Sequence, residues 1–140
     1  MDTNGNTKEL IKDLCSRLPY GVKVLVDNKH WIDFDGRTPS KLTFDNSYRL
    51  LYVGTDLGYV KPYLFPLSSM TEEQQEEFDR IYADDMQVVA CNLKNKLDGK
   101  PYETNFGHYR HIDWLNANHF DYRGLIEKGL AIDATGLNIY

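Results

Sequence analysis

Thr71-Glu72-Glu73-Gln74-Gln75-Glu76-Glu77-Phe78-Asp79-Arg80-Ile81-Tyr82 opens the longest regular element that this chain encodes. Thr71 followed three residues later by Gln74 is a capping box: each side chain satisfies a backbone N–H that a helix start leaves free. Acids fill the first turn, where the positive end of the helix dipole favours them. Phe78, Tyr82, Met86, Val89, Leu93 and Leu97 then recur at steps of three and four, drawing one apolar stripe to about residue 97. Lys94, Lys96 and Lys100 gather at the far end, so side-chain charge follows the dipole along the whole helix. Such a stripe is expected to face a sheet or a second copy of the chain. Residues 71–85 hold seven acids and one base, a local net charge of -6. That cluster reads as a solvated helix start rather than a binding site.

Upstream, residues 1–6 read as a frayed polar tail. Leu10, Ile11, Leu14, Cys15 and Leu18 share helical spacing, which predicts a helix over 7–18, capped by Thr7 and stopped by Pro19 and Gly21. Val22, Val24 and Val26 alternate with Lys23, Leu25 and Asp27 as a strand with one β-branched face. Residues 27–29 read as a turn, with a return arm at 30–34 and a loop at 35–40. A second hairpin is expected from 41–44 and 48–53 around Asp45-Asn46-Ser47. A short strand at 59–64 is expected at a sheet edge, because Pro62 has no N–H to give a central ladder. Downstream, 98–101 ends the long helix, 102–107 is a loop, and 111–118 is a short helix with Ile112 and Leu115 inward. Gly124 and Gly129 bracket a single turn. These elements imply one α+β domain over residues 1–140. Its parts are an N-terminal helix, a small antiparallel sheet, one long helix and a short C-terminal helix. The sheet is either open or closes part-way into a barrel of the Src-homology-3 type.

The chain has 140 residues, enough for one domain with a hydrophobic core, and its 41% hydrophobic and 26% charged content is that of a globular protein. Ten tyrosines fit a domain rich in half-buried boundary positions or an interface. The net charge is -5, so outside the acidic helix start the chain is nearly neutral. Neither part offers the basic footprint of a phosphate-backbone binder, and nucleic acid is not an expected partner. Cys15 and Cys91 sit among apolar neighbours and read as reduced, packed thiols. The opening residues do not resemble a signal peptide, and no apolar run approaches membrane-spanning length, which implies a soluble, cytoplasmic protein.

Four kinds of chemistry are conceivable on these residues. His108, His111 and Asp113 have spacings that can chelate a metal from one side of a helix, yet no His-Glu-x-x-His pattern or cysteine pair completes the set. Ordinary surface or capping histidines are the preferred reading, and no cofactor is expected. Cys15 and Ser68 lack the strained turn of an activated nucleophile. No glycine-rich phosphate loop is present. Trp114, His119, Tyr122 and Arg123 can stack a base and clamp a phosphate. The competing and preferred reading pairs Arg123 with Asp121 or Glu127, packs Trp114 and Phe120 inward, and lets Asp121 cap the next turn. Tyrosine-rich strands, an exposed edge and an acidic helix start also make a protein-recognition surface.

Two stretches carry a resemblance. Lys61-Pro62-Tyr63-Leu64-Phe65-Pro66-Leu67-Ser68-Ser69-Met70-Thr71-Glu72-Glu73 is one, and the segment from Asp113-Trp114-Leu115 through His119-Phe120-Asp121-Tyr122-Arg123-Gly124-Leu125 to Ala131 is the other. They resemble the hallmark segments of a family of small proteins found in phages and prophage-like regions of gut bacteria, with Leu18-Pro19-Tyr20-Gly21-Val22 as a third, weaker match. The resemblance implies a small intracellular accessory protein that binds a host or phage component, and it brings no reaction with it. The expected function is therefore a non-enzymatic interaction or adaptor module, with a homo-oligomer left open. The alternative is a binder or hydrolase of a small phosphorylated ligand through residues 114–123. A metal-dependent enzyme using His108, His111 and Asp113 ranks third.

Overall fold

A computed structural model describes residues 3–27, 34–54, 60–99 and 109–140. They belong to two compact units: one drawn from Met1–Ser69 and Asn116–Tyr140, the other from Met70–Leu115. The fold is α+β, with a small sheet of five strands that does not close.

The first unit begins with helix α1 (Thr3–Arg17), which starts at Thr3 instead of after the expected polar tail. Its buried face is Leu10, Asp13, Leu14 and Arg17, one residue round the helix from the expected stripe. Cys15 falls off that face. Both cysteines are free and exposed, so the expectation of packed thiols is corrected. A short 3-10 turn, Leu18–Tyr20, leads to Gly21 at φ 73°. A Cβ there would lie 3.3 Å from Lys41 Cε, so both backbone angle and space favour glycine.

Strand β1 (Lys23–Val26) buries Val24 and Val26, with Val22 just before it, as the alternation requires. It pairs antiparallel with the two-residue β2 (Ser40–Lys41). The return arm expected at 30–34 falls, except for Phe34, outside the described residues. The second hairpin does not form. Residues 44–48 are helix α2 (Phe44–Tyr48), followed by a π-helical turn, Arg49–Gly54. The cause is local: Asn46 Oδ1 accepts from the Thr43 N–H at 2.8 Å, and Thr43 Oγ1 accepts from the Asn46 N–H at 3.4 Å. This is a capping box with asparagine in the third position, and it turns a stretch with turn composition into a helix start.

Strand β3 (Val60–Pro66) is not at an edge. It pairs antiparallel with β1 over Val60–Pro62, then parallel with β5 (Ile132–Asp133) and with β4 (Phe120–Asp121). The sheet is therefore mixed rather than antiparallel. Pro62 is accommodated because the β1 ladder stops there, opposite Val24. The next residues in register are Lys23 and Tyr63. Between them the Tyr140 hydroxyl accepts from the Lys23 N–H at 2.8 Å and donates to the Tyr63 carbonyl at 2.8 Å. It stands in for a direct rung. The unit's core gathers Leu10, Leu14, Val24, Leu50, Leu64 and Leu125 from every segment of the unit.

The second unit holds helix α3 (Glu72–Leu97) and most of helix α4 (Arg110–Ala117). The expected capping box is present, with Gln74 Oε1 accepting from Thr71 N–H at 2.9 Å and Thr71 Oγ1 from Gln74 N–H at 3.1 Å. The loop expected at 102–107 lies outside the described residues. No member of the apolar stripe is fully buried: Phe78, Met86 and Val89 are half-buried, Tyr82 is 45% exposed, and Leu93 and Leu97 are 58% and 80% exposed. Removing a buried leucine typically costs about 2–5 kcal/mol. Leu64→Ala is therefore expected to lower the unfolding free energy by that amount in chemical denaturation. Leu93→Ala in dilute solution is expected to stay within about 0.5 kcal/mol of the parent, the usual surface range.

Candidate functional site

Residues 116–126 pack against α1 through a largely buried charged cluster. The Asp13 and Arg17 side chains, one turn apart on α1, are both 0% exposed, and Arg17 Nε donates to Asp13 Oδ2 at 2.9 Å. Arg17 Nη2 donates to the Phe120 carbonyl at 2.6 Å, which fixes the start of β4. Arg123 Nη1 donates to the other Asp13 oxygen at 3.1 Å. One carboxylate thus serves two guanidinium groups. The Tyr122 ring takes part as well, with Arg17 5.1 Å and Arg123 4.9 Å from its centroid, a cation–π arrangement. Its hydroxyl donates to Asn116 Oδ1 at 2.8 Å.

Asp121 accepts from the Leu125 and Ile126 N–H groups at 3.0 and 2.9 Å, the capping role expected of it. Gly124 has φ 71°, so the turn needs a residue that tolerates the left-handed region. His119 also has positive φ, 63°, and its ring stacks on Tyr140 at 3.6 Å between centroids. Burial, with help from the charges of Arg17 and Lys23, pushes the His119 imidazole down to about 4. Burial likewise pushes the Tyr140 phenol up to about 12, so both rings are neutral at physiological pH. Two buried nitrogens, Arg17 Nη1 and His119 Nδ1, have no hydrogen-bond partner among the described residues.

The second unit has its own cluster. Asp85 Oδ2 accepts from the His111 backbone N–H at 2.9 Å and meets His111 Nδ1 at 2.6 Å. Burial raises the Asp85 carboxyl, but these bonds, with Arg110 alongside, outweigh it and hold the group below the usual range. Asp85 thereby caps α4 from a neighbouring helix, satisfying an N–H that the helix start leaves free. The His111 ring lies 5.0 Å from Tyr82 and 6.0 Å from Phe78, and Trp114 lies 5.8 Å from Phe78.

Of the sequence-derived group, His119, Tyr122 and Arg123 fall in the first unit, while Trp114 belongs to the aromatic cluster of the second. Arg123 finds a carboxylate, as the structural reading requires, but the partner is Asp13 and not Asp121 or Glu127. Of the metal candidates, His111 is engaged by Asp85, Asp113 is half-buried on α4, and His108 lies outside the described residues. Among the described residues no three metal-ligating side chains come close enough to hold an ion. Asp13 and Arg17 were missed. The signal was present, since they fall at helical spacing with Leu10 and Leu14, but charged residues on an apolar face read as its border. No family model, curated protein or solved structure matches the chain.

Two outcomes follow. Arg17→Ala leaves Asp13 buried with a reduced charge complement, a change that typically costs about 3–5 kcal/mol, and Asp13→Ala the same. In chemical denaturation, the double variant is expected to cost clearly less than the sum of the two. His119 takes up protons less readily when folded than when unfolded, so the unfolded chain binds more protons between about pH 6.5 and pH 4. Its contribution is full above pH 6.5 and is lost as pH falls toward 4. His119→Asn keeps a residue that tolerates positive φ, and is expected to flatten that part of the stability–pH curve.

Proposed function

We propose that this chain is a protein-interaction or adaptor module, and that the C-terminal half of α3 is the surface it presents. The supporting observation is the exposure of large apolar side chains on that helix beyond its contact with α4. α4 meets α3 at Phe78, Tyr82, Asp84 and Asp85. Leu93 lies eight residues further on, roughly 12 Å along the axis. There the same stripe stands in solvent, with Leu93 58% and Leu97 80% exposed. Large apolar side chains at adjacent turns of one helix face are a usual anchor for a partner protein. In this reading the chain carries no reaction of its own and works in the cytoplasm. Its resemblance to phage-associated proteins makes a host or phage protein the natural partner. No helix among the described residues is long and apolar enough to cross a membrane.

A photo-crosslinking residue at position 93 of the full chain tests this in cells. Protein adducts are expected at 93 and not at position 8, an exposed site on α1. Equal adduct yields at both positions, or none at 93, would sink the reading. The ligand-binding alternative has one observation in its favour, the buried unpartnered Arg17 Nη1 and His119 Nδ1. A melting temperature that rises with inorganic phosphate beyond a chloride control, and loses that rise in His119→Asn, would move the assignment to residues 119–123.

A further inference from the structure

We infer that the notch at the end of the β1–β3 ladder is a binding site for a tyrosyl peptide, filled in cis by Tyr140 and taken by a partner's tyrosine when that residue withdraws. The inference concerns the first unit alone and does not depend on the exposed end of α3. Every wall of the site is in place. Lys23 N–H and the Tyr63 carbonyl follow Val24 and Pro62 in register, and the Tyr140 hydroxyl bridges them, accepting at 2.8 Å from one and donating at 2.8 Å to the other. The phenol ring lies flat on the His119 imidazole, 3.6 Å between centroids with an interplanar angle of 14°. Phe65 flanks the ring at 5.9 Å. Lys23 Nζ stands 5.9 Å from the ring centroid and donates to the Ile139 carbonyl. The notch thus reads an aromatic face, a hydroxyl that both donates and accepts, and the carbonyl of the preceding residue. A tyrosine within a peptide has all three. Phenylalanine lacks the hydroxyl, and a free phenol lacks the carbonyl.

The strap that carries Tyr140 is weakly held. Residues 135–138 are exposed, and among the described residues their hydrogen bonds are local, from Thr135 N–H to Asp133 and from Leu137 N–H to the Ala134 carbonyl. Gly136 at φ 78° and Asn138 at φ 53° take the strap through the left-handed region, which costs a residue with a side chain. Closing the strap also keeps His119 Nδ1 buried without a hydrogen-bond partner among the described residues, a cost that water relieves when the Tyr140 ring leaves the imidazole. Against these costs stand the two hydroxyl bonds and the ring contacts. An incoming tyrosine replaces them one for one, without the strained path. The tether favours Tyr140 by proximity, and a partner that adds contacts outside the notch overcomes that advantage.

Nuclear magnetic resonance of the full chain tests this in two arms. In the first, Tyr140→Ala empties the notch, and a blocked peptide with the sequence Leu137-Asn138-Ile139-Tyr140 is added. The Lys23 amide and the His119 ring are expected to shift and saturate with a Kd on the order of 1 mM or tighter. The same peptide ending in phenylalanine is expected to bind at least about 10-fold more weakly, for want of two hydroxyl bonds. p-Cresol, which offers Lys23 no carbonyl, is also expected to bind more weakly. No shift with the tyrosyl peptide up to about 5 mM, or equal binding by the phenylalanine peptide or by p-cresol, would overturn the inference. In the second arm, hydrogen exchange of the parent chain reads the withdrawal of Tyr140, because its hydroxyl is the acceptor for Lys23 N–H. Once corrected for intrinsic rates, Lys23 N–H is expected to exchange at least about 10-fold faster than Phe65 N–H, which donates to the His119 carbonyl within the sheet. Equal protection would mean that the notch opens only when the sheet unfolds, and would overturn the inference too. This arm decides alone if Tyr140→Ala does not fold.

Discussion

A carboxylate that never meets water, Asp13, organises the first unit. It accepts from Arg17 four residues away and from Arg123 at a separation of 110 residues. Arg17 in turn holds the Phe120 carbonyl, 103 residues distant. Long-range closure of the chain therefore runs through a charged contact as well as through the leucine and valine core. A buried charge tolerates no partial arrangement, because an unpaired ion in the interior costs several kcal/mol. Apolar contacts can slide by a few tenths of an ångström, but two guanidinium groups matched to two carboxylate oxygens and one carbonyl cannot. The cluster fixes the register of residues 116–126 on α1, which a greasy surface alone would leave loose.

The second unit solves a similar problem with different means. Asp85 is again a carboxylate with little exposure, and its partners are a backbone N–H and an imidazole. The rings of Phe78, Tyr82 and Tyr109 in turn flank the His111 imidazole. The result is a helix met by its neighbour over Phe78–Asp85, with Leu93 and Leu97 exposed further along.

Much of this was legible from residue order. The long helix, its capping box, the short helix near 111–118, the valine strand and the Asp121 turn each follow from spacing or turn chemistry. Three features were not. The helix at 44–48 hid because Asn46 completes a capping box that usually shows glutamate or glutamine, while Asp45-Asn46-Ser47 has the composition of a turn. The central place of β3 hid because Pro62 argues against a central strand. The exclusion holds only for a residue inside a continuous ladder, and here the ladder changes partner. The Asp13–Arg17 pair hid because periodicity scores apolar residues, and only the distant Arg123 and Phe120 make burying the pair sensible. Local rules see neighbours in sequence, and all three misses turn on where another segment sits or on an uncommon capping residue.

The exchange of partners along β3 has a consequence during synthesis. β1 is already made when β3 emerges, but β4 and β5 lie beyond Met70–Leu115 and arrive only after it. In that interval β3 offers an uncovered edge, the kind of template that captures strands from other chains. Pro62 and Pro66 remove two N–H donors from this edge, one in its interior and one at its last position. A foreign strand would find a broken row of donors. The native segments tolerate the gaps because their bonds fall at Leu64 and Phe65, between the two prolines. The prolines thus act as gatekeepers for a nascent sheet, guarding the strand until its late partners reach it.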